Sequence, residues 1–204
     1  MQRVPVFRAF LVSVALLAAA CGDEPKLAPL APDALVLAFG DSLTYGTGAR
    51  EAESYPAQLE ALIGRRVVRA GVPGEATAQA LKRLPGELDE YQPQLLLLCI
   101  GGNDFLRNLG KAQAAANVQT MVAVARQRGI DVLLIGTPEK GLTVTPPAFY
   151  AEIAAQHRIP YEGRVIGEIL RDSELKSDTI HPNARGYRLI AERVAALLRK
   201  SGAL

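Results

Sequence analysis

Four apolar runs punctuate the chain, at residues 34–39 (ALVLAF), 66–70 (RVVRA), 95–100 (LLLLCI) and 131–136 (DVLLIG). Runs this short, rich in Leu, Val and Ile, read as strands. The intervening segments YPAQLEALIG, TAQALKRLPGEL and KAQAAANVQTMVAVARQRG repeat their apolar residues every three or four positions, with Gly at their ends, and read as helices. PPAFYAEIAAQHR, a brief IPYEG and the closing ARGYRLIAERVAALLRK extend the pattern. Strand and helix in alternation imply right-handed crossovers and a parallel sheet with helices on both faces. The third and fourth runs lack polar alternation, as strands covered on both faces do.

In such a sheet, reactive groups gather in the loops beyond the carboxyl ends of the strands. Four loops qualify: GDSLTYG (40–46), GVPGEAT (71–77), GGNDFLRN (101–108) and TPEKGLTVTPP (137–147), joined by SDTIHPNARGY (177–187) before the last helix. Ser42 is either a nucleophile or a turn serine, since Gly, Asp and Ser are also what loops use for backbone needs. A serine hydroxyl needs a neighbouring base, and neutral imidazole, with an ordinary pKa of about 6.5, can take its proton. Of the two histidines, His181 sits in one of these loops, whereas His157 falls at a helix-to-strand corner on the opposite end of the sheet and reads as a surface or capping residue. Asp178, three residues before His181, can share a turn with it and accept from its second ring nitrogen. Equally, Asp178 and Asn183 suit the cap of the final helix.

Composition changes little. The 204 residues suit one domain with a continuous core, and 49% hydrophobic with 22% charged residues is ordinary for a globular protein. A net charge of +2, with Arg and Lys scattered among apolar positions, gives no footprint for nucleic acid. Two cysteines and two histidines provide no metal-ligand cluster. Cys99 lies inside an apolar run and reads as core; a disulfide with Cys21 would have to join a tether to a central strand.

The N-terminus differs from the rest. Arg3 and Arg8 precede AFLVSVALLAAAC, too short to span a bilayer but suited to a signal peptide over residues 1–20. Two processing routes fit: cleavage guided by Ala18 and Ala20, or lipidation of Cys21, since LAAAC resembles a bacterial lipobox with Ala18 where the usual pattern has Leu. The Pro-rich GDEPKLAPLAP that follows reads as a tether over 21–32, leaving residues 33–204 as the folded domain and membrane attachment through Cys21 as one expectation.

Taken together, GDSL, the glycine of PGEAT, GGND and DTIHPN resemble, in order and spacing, the four blocks of the GDSL or SGNH hydrolases, above all the bacterial secreted arylesterase, thioesterase and lysophospholipase-like branch. The resemblance implies a flavodoxin-like three-layer α/β/α sandwich with a five-stranded parallel sheet. It implies Ser42, Asp178 and His181 as catalytic residues, and an oxyanion hole from the N–H groups of Ser42 and Gly74 and the side-chain amide of Asn103. No cofactor is expected, and the substrate would be a small-molecule or lipid ester. Asp41 and Asp104 read as anchors of their own loops, and Glu139 as a solvated loop residue. Two rivals stand beside it: a carbohydrate O-acetyl esterase, which uses the same residues on a sugar-borne acetyl group, and a lipoprotein binding module that retains the fold but not the chemistry. Phe105, Leu106, Leu109 and Phe149 suit either an acyl chain or ordinary packing. Acyl preference, head group and oligomeric state have no signature in the sequence.

Overall fold

The computed structural model describes residues 25–139 and 144–204. Five parallel strands, β1 (Leu35–Gly40), β2 (Arg66–Gly71), β3 (Leu95–Cys99), β4 (Asp131–Ile135) and β5 (Tyr161–Glu162), pair in the order β2-β1-β3-β4-β5. This is the flavodoxin-like order. The chain leaves β1 for β2 on one side and then restarts at β3 on the other, which opens a crevice beyond the carboxyl ends of β1 and β3. The helices are α1 (Ser42–Tyr45), α2 (Tyr55–Ile63), α3 (Thr77–Tyr91), α4 (Gly102–Leu106), α5 (Lys111–Gln127), α6 (Phe149–His157), α7 (Val165–Arg171) and α8 (Ala184–Lys200).

Successive strand side chains point to opposite faces, and both faces are covered. Val36, Ala38, Leu95, Leu97 and Cys99 pack with α2, α7 and α8, whereas Leu37, Phe39, Leu96, Leu98 and Ile100 pack with α3, α5 and α6. Leu95 to Leu98 are wholly buried, and each contributes about 2 kcal/mol by leaving water. Cys99 belongs to this core, and burial pushes its thiol well above the ordinary range. In α8 the residues Tyr187, Ile190, Ala191, Val194 and Leu198 form the buried stripe of an amphipathic helix.

Three departures from the sequence pattern have physical causes. Gly86 does not end its helix: α3 continues through Pro85 and Gly86 to Tyr91, because Ala80, Leu84 and Leu88 keep one buried stripe across the break. Helices α1, α4 and α7 occupy stretches with no extended periodicity, since four to seven residues are too few to show one. The Pro-rich segment assigned to a tether is not free from Pro25 onward. Leu27 and Leu30 are buried, and their N–H groups donate to the carbonyls of Ser201 and Ala203 at 3.0 and 2.9 Å. Ala28 N–H donates to Asp131 and the Gln94 amide to the Pro29 carbonyl, both at 2.9 Å. These anchors lie beside the amino ends of β3 and β4, away from the crevice. The signal-peptide segment and Cys21 fall outside the described residues.

Replacing Leu97 with Ala should lower the unfolding free energy by about 3 kcal/mol, from lost burial and the cavity left between α8 and the sheet. Urea denaturation of the two proteins measures this directly.

Candidate active site

Ser42 follows β1 by one residue and opens α1. Asp41 caps that helix: its Oδ1 accepts the Leu43 N–H at 3.0 Å, and Gly46 closes the turn in the left-handed conformation. As the first residue of the helix, Ser42 has no acceptor for its N–H within α1, and the residue lines the crevice.

Asp178 and His181 come from the loop before α8. Asp178 Oδ1 accepts the N–H groups of Ile180 and His181, each at 2.8 Å, and its Oδ2 lies 2.8 Å from His181 Nδ1. Partial burial works against the charge on Asp178, but the two amides and the ring of His181 outweigh it and hold the carboxyl below its ordinary range. His181 Nε2 lies 3.0 Å from Ser42 Oγ, across 139 residues of sequence. Only Asn183 caps the final helix, accepting from Arg185 and Gly186 at 3.0 and 3.1 Å; Asp178 is committed to the imidazole. His157 ends α6, far from this cluster.

Gly74 and Asn103 complete the predicted set. Gly74 has a φ of 79°, a conformation that favours glycine, and an added Cβ would meet Arg107 Nη2 at 3.3 Å. Arg107 donates to the Gly74 carbonyl at 2.8 Å. Asn103 Nδ2 donates to the Glu75 carbonyl at 3.1 Å and lies 3.4 Å from Asp41 Oδ2. A primary amide has two N–H donors; one goes to the Glu75 carbonyl, and the other makes the longer bond to Asp41 Oδ2, the weaker of the two and the one a ligand oxygen would compete for.

Asp41 anchors its own loop as expected. Asp104 does not. It reaches to the start of α3, where its carboxylate accepts the Thr77 N–H at 2.9 Å and the Thr77 hydroxyl at 2.6 Å. It therefore caps a helix whose own preceding residue, Ala76, has no side chain for that task. Glu139 is not simply solvated either: it lines the crevice and pairs with Lys111 at 2.5 Å.

Ser42 and His181 sit in a cavity of about 360 Å³ whose walls include Leu106, Val144, Ile166, Leu170 and Ile180. Of the four apolar residues singled out from the sequence, only Leu106 lines it. Phe105 and Phe149 meet each other with ring centroids 6.3 Å apart and pack against the core, and Leu109 is exposed. Ile166 and Leu170 were missed with α7 itself. Among the described residues, no group of three or more His, Cys, Asp or Glu side chains is placed to hold a metal ion.

Sheet order and site together define a class: an α/β protein with a Ser-His-Asp hydrogen-bonded chain at the switch point of a flavodoxin-like sheet. The chain belongs to the GDSL-like lipase/acylhydrolase family, which it matches over residues 38–189. It is 31% identical to esterase TesA of Pseudomonas aeruginosa over 91% of this chain and 98% of that protein. It is 28% identical to thioesterase 1/protease 1/lysophospholipase L1 of Escherichia coli K12, over 80% of this chain and 83% of that one. A crystal structure of TesA superposes with a TM-score of 0.71 at 27% identity, covering 82% of this chain and 99% of the other.

Burial pushes the Asp41 carboxyl up from 3.8 to about 7, with the neighbouring Glu75 and Asp104 adding to the rise against the Leu43 and Asn103 hydrogen bonds. A group with a folded pKa above its unfolded value takes up a proton on folding, so the native state gains stability as pH falls from about 7 toward about 4. The Asp41→Asn variant loses this dependence and should gain stability relative to the parent as pH rises through that window. Thermal melts of both proteins at pH 4, 5, 6 and 7 measure the difference, and a constant offset would contradict it.

Proposed function

We propose that this protein is a serine esterase that hydrolyses carboxylic esters and thioesters through an acyl-enzyme on Ser42. The observation that carries this reading is the continuous hydrogen-bonded chain from Asp178 through His181 to Ser42 at the floor of an apolar cavity. The names of the relatives, an esterase and a thioesterase/lysophospholipase, support the same reaction class.

His181 Nε2 takes the hydroxyl proton as Ser42 Oγ attacks the carbonyl carbon. Asp178, kept ionised by its two amide donors, orients the ring through Nδ1 and offsets the charge it acquires. Negative charge develops on the carbonyl oxygen and is received by the N–H of Ser42, the N–H of Gly74 and the Asn103 N–H that otherwise makes the long bond to Asp41, donors held in place before the reaction begins. His181 then protonates the departing alcohol or thiol, and water, activated by the same imidazole, releases the acid. Every step uses groups of this chain.

The cavity favours an acyl chain over a lone acetyl group. A two-carbon acyl unit leaves the apolar walls of Leu106, Ile166 and Ile180 in contact with water, and each buried methylene is worth about 0.8 kcal/mol. A carbohydrate O-acetyl esterase has no use for such walls. Export is part of the reading: Arg3, Arg8 and the apolar run after them support a signal peptide, and Cys21 supports lipid attachment. Because Leu27 and Leu30 dock beside the amino ends of the strands, an anchored chain would turn its cavity away from the bilayer.

With p-nitrophenyl esters, Ser42→Ala should lower kcat by about three orders of magnitude or more while the far-UV spectrum is unchanged. Undiminished hydrolysis by that variant would remove Ser42 as nucleophile. Across acetyl, butyryl, hexanoyl and octanoyl esters kcat/KM should rise from the acetyl end; an acetyl optimum would favour the deacetylase, and inactivity on every ester and thioester the binding module. The intact mass of the processed protein should carry acyl chains on Cys21, whereas a free N-terminus at or beyond residue 21 means cleavage without lipidation.

A further inference from the structure

Arg83, on α3, touches neither Ser42 nor the cavity, yet its guanidinium contacts the supports of all three oxyanion donors. Its Nε and Nη2 hold the Glu75 carboxylate at 3.0 and 2.6 Å, a two-pronged pairing. The same Nη2 donates to the carbonyls of Ala70 at 3.2 Å and Gly40 at 3.4 Å. Its Nη1 donates to Glu87 at 2.8 Å, and its plane lies 4.1 Å above the Phe39 ring. Gly40 is the last residue of β1, two before Ser42. Ala70 is the penultimate residue of β2, just before the loop that carries Gly74. Glu75 follows Gly74, and its own carbonyl takes one N–H of Asn103.

We infer that the Arg83–Glu75 pair is a positioning device that sets the spacing of the Ser42, Gly74 and Asn103 donors. The inference rests on the oxyanion reading of those three groups given above. Two strand ends carry the two backbone donors, and one planar cation bonds to both of them and to the loop between the second donor and the third. An Arg that served only to staple its helix would need the Glu87 contact, four residues on, and nothing more. The fork has five N–H donors in one rigid plane, and four of the contacts point toward the strand ends and Glu75. Lysine would keep the charge beside Glu75 but could not span these acceptors together. Oxyanion stabilisation depends on donors held to a fraction of an ångström, so loosening the frame lowers the rate even when every donor is present.

Arg83→Lys keeps the cation and avoids an unpaired buried carboxylate; Glu75→Gln keeps the shape and the backbone carbonyl but removes the ion pair. Both are assayed with a p-nitrophenyl ester, per mole of protein shown folded by circular dichroism, alone and combined with Asn103→Ala. Each single variant should lose about tenfold in kcat or more with KM within about twofold of the parent. In the Asn103→Ala background the same substitutions should cost clearly less than they do alone, because one of the three donors they position is already gone and only the Ser42 and Gly74 N–H groups remain to be misplaced. Equal losses in both backgrounds, or a change confined to KM, would overturn the inference and leave the pair as a fold element only. If Asn103→Ala itself leaves kcat unchanged while Arg83→Lys lowers it, the oxyanion reading fails rather than the effect of Arg83.

Discussion

The site depends on the register of three adjacent parallel strands. Gly40 at the end of β1 pairs with Gly71 at the end of β2 and with Cys99 at the end of β3. The three strands therefore stop level, and the loops bearing Ser42, Gly74 and Asn103 leave side by side. A one-residue slip would move a loop by about 3.3 Å and send every side chain of that strand to the opposite face. Leu95 to Leu98, buried against helices on both sides, make such a slip prohibitively costly. The same apolar residues that stabilise the fold thus determine where the polar groups emerge.

Just beyond that edge the chain buries an unusual amount of polarity. Asp41, Glu75, Thr77, Asp104 and Asn117 are all buried, and an unpaired buried polar group costs more than a hydrogen bond gains. Each has a partner. Asp104 binds Thr77, whose hydroxyl also accepts from Asn117 at 2.9 Å, so the starts of α3, α4 and the middle of α5 are linked. On the other side of the third loop, Tyr150 donates to the Ile100 carbonyl at 2.7 Å and Thr137 lies 2.6 Å from its hydroxyl. The loop that presents Asn103 is therefore held at both ends by side chains from other segments. This rigidity suits a site that must present donors to a developing charge.

Strands and long helices were legible because their signals are local and repeated: runs of Leu and Val for β1, β3 and β4, and a three-to-four spacing for α2, α5 and α8. The candidate site residues stood out because four short blocks occur together, in order, and the structure brings His181 within hydrogen-bond reach of both Ser42 and Asp178. What escaped is decided by neighbours distant in sequence. Asp104 looks like a turn residue until Thr77 is known to lie beside it. Leu27 and Leu30 sit among prolines that suggest a free tether, and only the carbonyls of Ser201 and Ala203 show that they are bound. The cavity wall from α7 was invisible because VIGEILR is too short to display a period. Arg83 and Glu75, eight residues apart, carried no sign that their acceptors would be strand ends.

Asp178 and His181 are a different matter, because they are close in sequence and form one local unit. Asp178 is fixed by the backbone of the loop that carries His181, and that loop is closed by a bridge between Lys176 and Pro182 and by the Ser177 N–H on the His181 carbonyl at 2.9 Å. The hydrogen bonds that fix Asp178 against His181 all lie within this loop. The single distance that must be set at long range is that from His181 to Ser42. It is set on the far side of the loop that carries Ser42: the Tyr187 hydroxyl donates to the Thr47 carbonyl at 2.8 Å, and Gly48, with φ of 97°, lies so close to Ser177 that a Cβ there would come within 2.0 Å of its hydroxyl. Gln58 adds a third tie, to the Ala184 carbonyl at 3.2 Å. All three connect the segment after Ser42 to the segment around His181. The reach between hydroxyl and imidazole is thus a property of the seam between these two loops, and Gly48 is where the seam tolerates no added atom.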